Sequence, residues 1–288
     1  MSGDQSVAEL RERVEVDRVD LAWGSWGPED APTLMLCHGF SGSAADFDLH
    51  TSALVDAGLR VVLMEHRGHG RSGWGSPSDY SVRRLTDDLA GLLDRVAPGK
   101  VHLLGHSMGG RIALELALEQ PDLIASLVLM DTSAWSFAST DPDEAALVAD
   151  FFRGYDPSSG LPGFQSSGPE DTMIARRTPP EWQRSRDSLR SRLDPAAFKS
   201  LGVELFADGV EPITRLDSIA CPITVMVGSE DAPYRDQAPT LVERLGNARL
   251  HVFDGAHHSP QLTHQREWRE AVLAHLRWAG GIAEGGRA

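Results

Sequence analysis

Short, wholly apolar runs alternate with longer amphipathic stretches along most of this chain. Runs at about 33–38, 60–65, 101–105, 125–130, 222–228 and 249–253 read as strands, and their apolar positions are nearly continuous. A strand of that kind is buried on both faces, as in a parallel sheet. Between the runs, helical spacing predicts helices over about 82–96, 108–120, 237–246 and 264–279. In the second of these, Ile112 with Leu116 and Ala113 with Ala117 share a face, and Pro121 should end the helix near Gln120. Near the start, Val14 to Trp23 alternates like one half-exposed antiparallel strand opening the sheet, before the Gly27-Pro28 turn. The strand–helix rhythm predicts an α/β fold with a mostly parallel sheet covered by helices on both faces.

That rhythm breaks between residues 132 and 216, where Pro, Gly and Ser punctuate short helical stretches such as Glu144–Arg153 and Glu181–Leu193. The segment is too long for a simple connection. We read residues 1–131 and 217–279 as one core and 132–216 as a cap inserted over the strand ends. Within it, the Gly154–Gly168 stretch reads as a mobile loop, and the unpatterned tail 280–288 is expected to be disordered.

Composition narrows the function. With 288 residues, 41% of them hydrophobic, the chain can build one large core. A formal net charge of -15 would repel a phosphate backbone, which argues against nucleic acid as a partner. The N-terminal residues lack a basic region followed by an apolar core, and no apolar run reaches membrane-spanning length, so we expect no membrane association and a cytoplasmic protein. Cys37 and Cys221 lie in or beside strands, where a thiol is a common core residue, and neither a disulfide framework nor a metal site is indicated. His66, His69 and His106 lack ligand spacing on one helix face. Gly68, Gly70 and Gly73 do not open a helix at once, unlike a dinucleotide fingerprint.

The chemistry concentrates in Gly105-His106-Ser107-Met108-Gly109, a serine between two glycines directly after an apolar strand. A strand turning abruptly into a helix strains its apex residue and tolerates only small neighbours. Such a serine needs a base, an acid and an anion site elsewhere. His258 lies beyond the run ending at Phe253, and Asp231 follows the run ending at Gly228. His38-Gly39-Phe40 follows another strand, so the amides of Phe40 and Met108 form a candidate oxyanion hole.

Together with the loop Arg67-Gly68-His69-Gly70-Arg71-Ser72, these segments make the chain resemble an α/β-hydrolase-fold serine hydrolase, from about residue 14 to about residue 279. The resemblance implies Ser107 as nucleophile, His258 as base and Asp231 as acid, acting on a small-molecule acyl bond without a cofactor. Each role has a competitor. His257 adjoins His258 and stands where the family pattern has a small residue; Asp131 closes the run Leu127 to Met130, the earlier strand from which some members draw their acid; Glu230 is a third choice. Arg111, one turn after the serine, would grip a substrate carboxylate or pair within the protein. The Ser-x-Gly-Gly-Arg elbow is also similar to that of the pyruvate-eliminating synthase of menaquinone biosynthesis. That similarity keeps carbon–carbon chemistry open beside ester hydrolysis, and the Ser-Met-Gly-Gly elbow keeps open a cofactor-free perhydrolase. A non-catalytic receptor is a further alternative. Trp135, Phe137, Phe151, Phe152 and Trp182 are candidates for lining an apolar pocket, with plain core packing as the competing role of each.

Overall fold

A computed structural model describes residues 10–136, 141–163 and 168–283. Its strands are β1 (Glu12–Val16), β2 (Val19–Trp26), β3 (Thr33–Cys37), β4 (Arg60–Met64), β5 (Val101–His106), β6 (Ile124–Met130), β7 (Ile223–Gly228) and β8 (Ala248–Phe253). They form one sheet in the order β1-β2-β4-β3-β5-β6-β7-β8. The β1–β2 and β2–β4 pairs are antiparallel and the remaining pairs parallel. The segment that reads as one strand over 14–23 is therefore a hairpin. Asp17 and Arg18 both take positive φ and turn the chain between Val16 and Val19. Such turns favour Asn-Gly; Asp-Arg hides this one.

The longer helices are α1 (Val82–Val96), α2 (Met108–Glu119), α3 (Pro142–Gly154), α4 (Pro169–Arg177), α5 (Pro180–Arg190), α6 (Pro195–Gly202), α7 (Ala238–Leu245) and α8 (Gln265–Trp278). Leu89 of α1, Ile112 of α2 and Leu241 of α7 pack with Met35 and Cys37 on one face of the sheet. Trp268 and Leu276 of α8 pack with Leu34 and Leu36 on the other. Successive β3 side chains thus serve opposite faces, which is why the central runs are apolar throughout. The edge strand β8 instead exposes Leu250 and Val252.

Helices α3 to α6 all lie between β6 and β7. Each begins with proline at its first position, where the missing N–H has no intrahelical partner to lose. Asp141 and Asp194 cap α3 and α6 through their side chains. The prolines that read as breaks are starts, and α4 and α6 have no counterpart among the elements expected from the sequence pattern. Phe137 and residues 164–167 of the Gly154–Gly168 stretch lie outside the described residues. Of the tail expected to be disordered, residues 280–283 turn back onto the core: Gly281 donates to the Leu276 carbonyl at 2.8 Å, and Ile282 packs against the α8 cluster. No described helix is long and apolar enough to cross a membrane.

The sheet's topology selects the place for a site. From β3 the chain moves to β4 on one side and then crosses to β5 on the other. A crevice opens at the carboxyl ends of strands where the order reverses in this way. Here those ends carry Gly39-Phe40 and Ser107.

Candidate active site

Ser107 sits between β5 and α2 with φ 54° and ψ −119°. Strain of this kind costs on the order of 1–3 kcal/mol and persists only where the surroundings enforce it. They do so by close approach. A Cβ on Gly105 would lie 2.2 Å from the Gly109 carbonyl oxygen, and one on Gly109 would lie 2.5 Å from that of Cys37. A Cβ on Gly110 would meet Thr132 at 2.4 Å. The Ser107 amide donates to Met130 at 2.9 Å, and Thr132 Oγ1 donates to the Ser107 carbonyl at 2.7 Å. The Ser107 side chain does not cap α2. Its hydroxyl is left for other work at the positive end of a helix, where the Met108 amide is among those without an intrahelical partner.

Two loops bring the imidazole and the acid together. His258 Nδ1–H donates to Asp231 Oδ2 at 2.7 Å, and the His258 side chain is 34% exposed. Gly228 permits this approach, since a Cβ there would lie 2.2 Å from the His257 carbonyl oxygen. His106 anchors the same loop: its Nε2–H donates to the His258 carbonyl at 2.7 Å. Burial lowers the His106 pKa to about 3, so this ring is a neutral fixture. From the helices between β6 and β7, the Glu170 carboxylate of α4 accepts from the Ser259 amide at 2.5 Å. Burial opposes charge on His258, but the Asp231 charge and hydrogen bond, aided by Glu170, outweigh it and hold the imidazole above its ordinary 6.5. Glu230 is exposed.

Ser107 and His258 line one cavity of about 290 Å³, together with Phe40, Glu170, Arg186 and Arg190. No hydrogen bond joins the serine hydroxyl to His258 among the described residues; the hydroxyl is paired with the Tyr234 phenol, whose ring stacks on His258 at 5.2 Å. Gly39 packs on the elbow: a Cβ added to it would lie only 3.1 Å from Ser107 Cβ, and this closeness puts the turn bearing the Phe40 amide beside Ser107. The Phe40 ring stacks on Phe198 of α6 at 5.3 Å and meets Phe152 and Phe206 edge-on. On the other side of Ser107 lies a pocket of only about 30 Å³, lined by Met108, Trp135, Phe206 and Tyr234 among others.

Two substrate-binding expectations change. Arg111 borders the small pocket, but its guanidinium is spent on the protein: Nε on Glu115 at 2.8 Å, Nη1 on the Ala134 carbonyl at 2.9 Å, and Nη2 on the Glu211 carbonyl. It ties the β6 exit at Ala134 to Glu211 ahead of β7, and its guanidinium has no donor pair aimed at a ligand. Arg111→Ala is expected to lower unfolding free energy by about 2 kcal/mol, because buried partners lose their donors, and to affect neutral and carboxylate-bearing substrates alike. Denaturant melts and paired kinetics would check this. Trp182 is fully buried with Ala45, Ile174 and Leu189 and lines neither cavity; it packs behind Ile174 and Arg186, which do line the larger one. Phe151 is 47% exposed and Phe152 is buried against the Phe40 cluster.

Asp131, Asp231 and His258 offer ligand-type atoms within 4.8 Å of one another, the spacing of a small cation site and equally of a hydrogen-bonded trio. The histidines near Arg67 have structural partners. His38 Nδ1–H donates to the Gly39 carbonyl at 2.9 Å, His66 Nε2–H to the His38 carbonyl at 3.2 Å, and His69 Nδ1–H to the Arg67 carbonyl at 3.0 Å.

The family model for the alpha/beta hydrolase fold matches residues 32–265. The chain belongs to the alpha/beta hydrolase family. This hydrolase is 40% identical over 263 residues to "Putative carbamate hydrolase RutD" of Pseudomonas syringae pv. syringae, with 86% of this chain and 94% of the relative covered. It is 28% identical to the non-heme chloroperoxidase of Streptomyces lividans over 281 residues, covering 91% and 97%. Among solved structures, a thermophilic esterase of Thermogutta terrifontis superposes with a TM-score of 0.72 at 25% identity, covering 93% and 99%.

Three residues of the hydrolase site are invisible as such in the sequence. His106 reads there only as a rejected metal ligand, although its place inside the elbow motif is a usable signal. Glu170 belongs to an unanticipated helix. Tyr234 lies three residues after Asp231 with nothing in its context to mark it.

Proposed function

We propose that this hydrolase cleaves an ester or related acyl bond of a small molecule through an acyl-enzyme on Ser107. The observation that carries the reading is the 2.7 Å His258–Asp231 hydrogen bond facing the cavity onto which the strained Ser107 opens. Rotation about χ1 takes the serine hydroxyl from Tyr234 to His258 Nε2, and hydrogen bonds of this kind tighten when substrate is bound. His258 then takes the hydroxyl proton as Oγ bonds to the carbonyl carbon, with Asp231 fixing the tautomer and stabilising the imidazolium. The Phe40 and Met108 amides receive the oxyanion, worth about 3–4 kcal/mol per donor in comparable sites. His258 returns the proton to the leaving group, and water activated by the same ring releases the acid.

The cavities supply a substrate preference. An acyl group seated in the small pocket must be short, whereas the larger, polar cavity accommodates the leaving group. Acetyl esters of p-nitrophenol should exceed octanoyl esters in kcat/KM by about tenfold or more, the discrimination expected when extra methylenes do not fit. Equal rates would place the acyl group elsewhere. Carbon–carbon cleavage rests on Arg111 as a carboxylate grip, and the three bonds of that side chain remove its support.

The base must be neutral to act, and its raised pKa delays neutrality to above 6.5. The acid limb of kcat/KM should therefore rise at a pH above 6.5. Glu170→Gln should move that limb to lower pH, because one negative charge that favours the imidazolium is gone. A pH–rate profile of both proteins tests the sign; an upward-shifted limb would contradict His258 as the titrating base, and an unchanged one would contradict the Glu170 contribution.

A further inference from the structure

The two candidate acids of the sequence, Asp131 and Asp231, meet in the fold. Asp131 leaves β6 with φ 45°, is fully buried, and accepts the Gly228 N–H on Oδ1 at 2.9 Å. Its other oxygen is shut off from solvent and meets no hydrogen-bond donor among the described residues, and Asp131, Asp231 and His258 each place a ligand-type atom within 4.8 Å of the others. Asp231 in turn serves His258. The titratable groups facing the pair are His258, His106, Glu170 and Tyr234, and none of these carries a permanent positive charge. Two buried carboxyl groups this close, with an oxygen of one lacking any donor, repel strongly when both are ionised, and a single shared proton resolves the repulsion.

We propose that Asp131 is a neutral carboxylic acid at neutral pH which donates its proton in a hydrogen bond to Asp231, and so acts as a positioning residue for the His258–Asp231 pair. The proposal rests on Asp231 being the orienter of His258. The environment divides the two groups accordingly. Burial first, then the Asp231 charge, raises the Asp131 carboxyl well above its usual range. Burial would raise Asp231 as well, but the His258 charge and hydrogen bond and the Asp131 donor outweigh it and hold Asp231 low. The proton makes the second acid a donor. It fills a lone pair of Asp231 turned away from His258 and fixes the plane of the carboxylate.

The signs follow from linkage. A carboxyl whose pKa is raised by folding stabilises the native state below its unfolded value, near 3.8, and loses that contribution as pH climbs through the raised folded value. Stability should therefore decline from near pH 3.8 upward until the carboxyl ionises, and activity should fall as the second charge enters the pair.

Asparagine at 131 imitates the protonated acid: its carbonyl accepts the Gly228 N–H, its amide donates to Asp231, and it tolerates positive φ. Asp131→Asn should keep kcat/KM at pH 7 within about threefold and flatten the decline of stability above pH 3.8, whereas Asp131→Ala should lose about tenfold or more. Asp231→Asn should lose on the order of 10⁴-fold, as when a triad acid becomes an amide. If Asp131→Asn is as damaged as Asp231→Asn, Asp131 is ionised and the proposal fails; it fails too if the Asn and Ala variants behave alike. Should the Ala variant not fold, ¹³C NMR of the Asp131 carboxyl in the parent and in Ser107→Ala decides. A protonated-acid shift at pH 7 supports the proposal, and an ionised shift overturns it. This signal is independent of turnover: full activity in Ser107→Ala would end the acyl-enzyme reading and leave the carboxyl result standing.

Discussion

Ser107→Ala is expected to lower kcat toward a short p-nitrophenyl ester by on the order of 10⁶-fold, the loss seen when the nucleophile of a comparable triad is removed. The large figure reflects how little else the hydroxyl does. It caps no helix, and the elbow's backbone bonds, Ser107 to Met130 and Gly110 to Ser107, do not involve it. Alanine at φ 54° is strained as serine is, so the melting temperature should move by only a few degrees. Steady-state turnover beside a thermal melt separates the two quantities. A folded variant within about tenfold of the parent would place the chemistry on another residue.

Gly105→Ala carries the largest expected cost in stability, about 3 kcal/mol. The added methyl would sit 2.2 Å from the Gly109 carbonyl oxygen and 2.6 Å from Gly110 Cα. Both are backbone atoms at the first turn of α2, so the strain cannot be relieved by swinging a flexible side chain. The helix would have to lift from β5, carrying with it the Met108 amide and the approach of Gly109 to Cys37. Activity should therefore fall along with stability. Gly99→Ala is the control, since no atom lies within 4 Å of its added carbon, and it should stay within about 0.5 kcal/mol. Urea melts of the two variants test the close-approach account; similar midpoints would contradict it.

These two positions also show what the chain discloses before it is folded. Strand runs buried on both faces leave a continuous apolar signature, so β3 to β7 fall within a residue or two of their expected places. The glycines around Ser107 are legible because their absence of a side chain is itself the requirement. Where the signal is shared between roles, reading stops. Prolines mark both the end of one element and the first turn of the next, and α4 and α6 disappear behind them. Alternation runs unbroken through the Asp17–Arg18 turn, which merges β1 with β2.

The site divides in the same manner. Ser107, Asp231 and His258 can be named from local context, since each follows a strand in a recognisable turn. The partners of Arg111 cannot, because Glu211 lies a hundred residues away and nothing near either residue records their contact. Trp182 has the composition of a pocket residue and the location of a core residue, and only packing distinguishes them. Asp131 and Asp231 present themselves as rivals because chain order cannot reveal that two strand ends are neighbours; in the β6–β7 pairing they become one unit.

The central claim is that Ser107 is a nucleophile made reactive by the imidazole across its cavity. The most direct measurement is intact mass of the folded protein after a fluorophosphonate probe, followed by peptide mapping. The account predicts one adduct on Ser107, abolished in Ser107→Ala and strongly slowed in His258→Ala. Absence of an adduct, or equal labelling in the His258 variant, would contradict it.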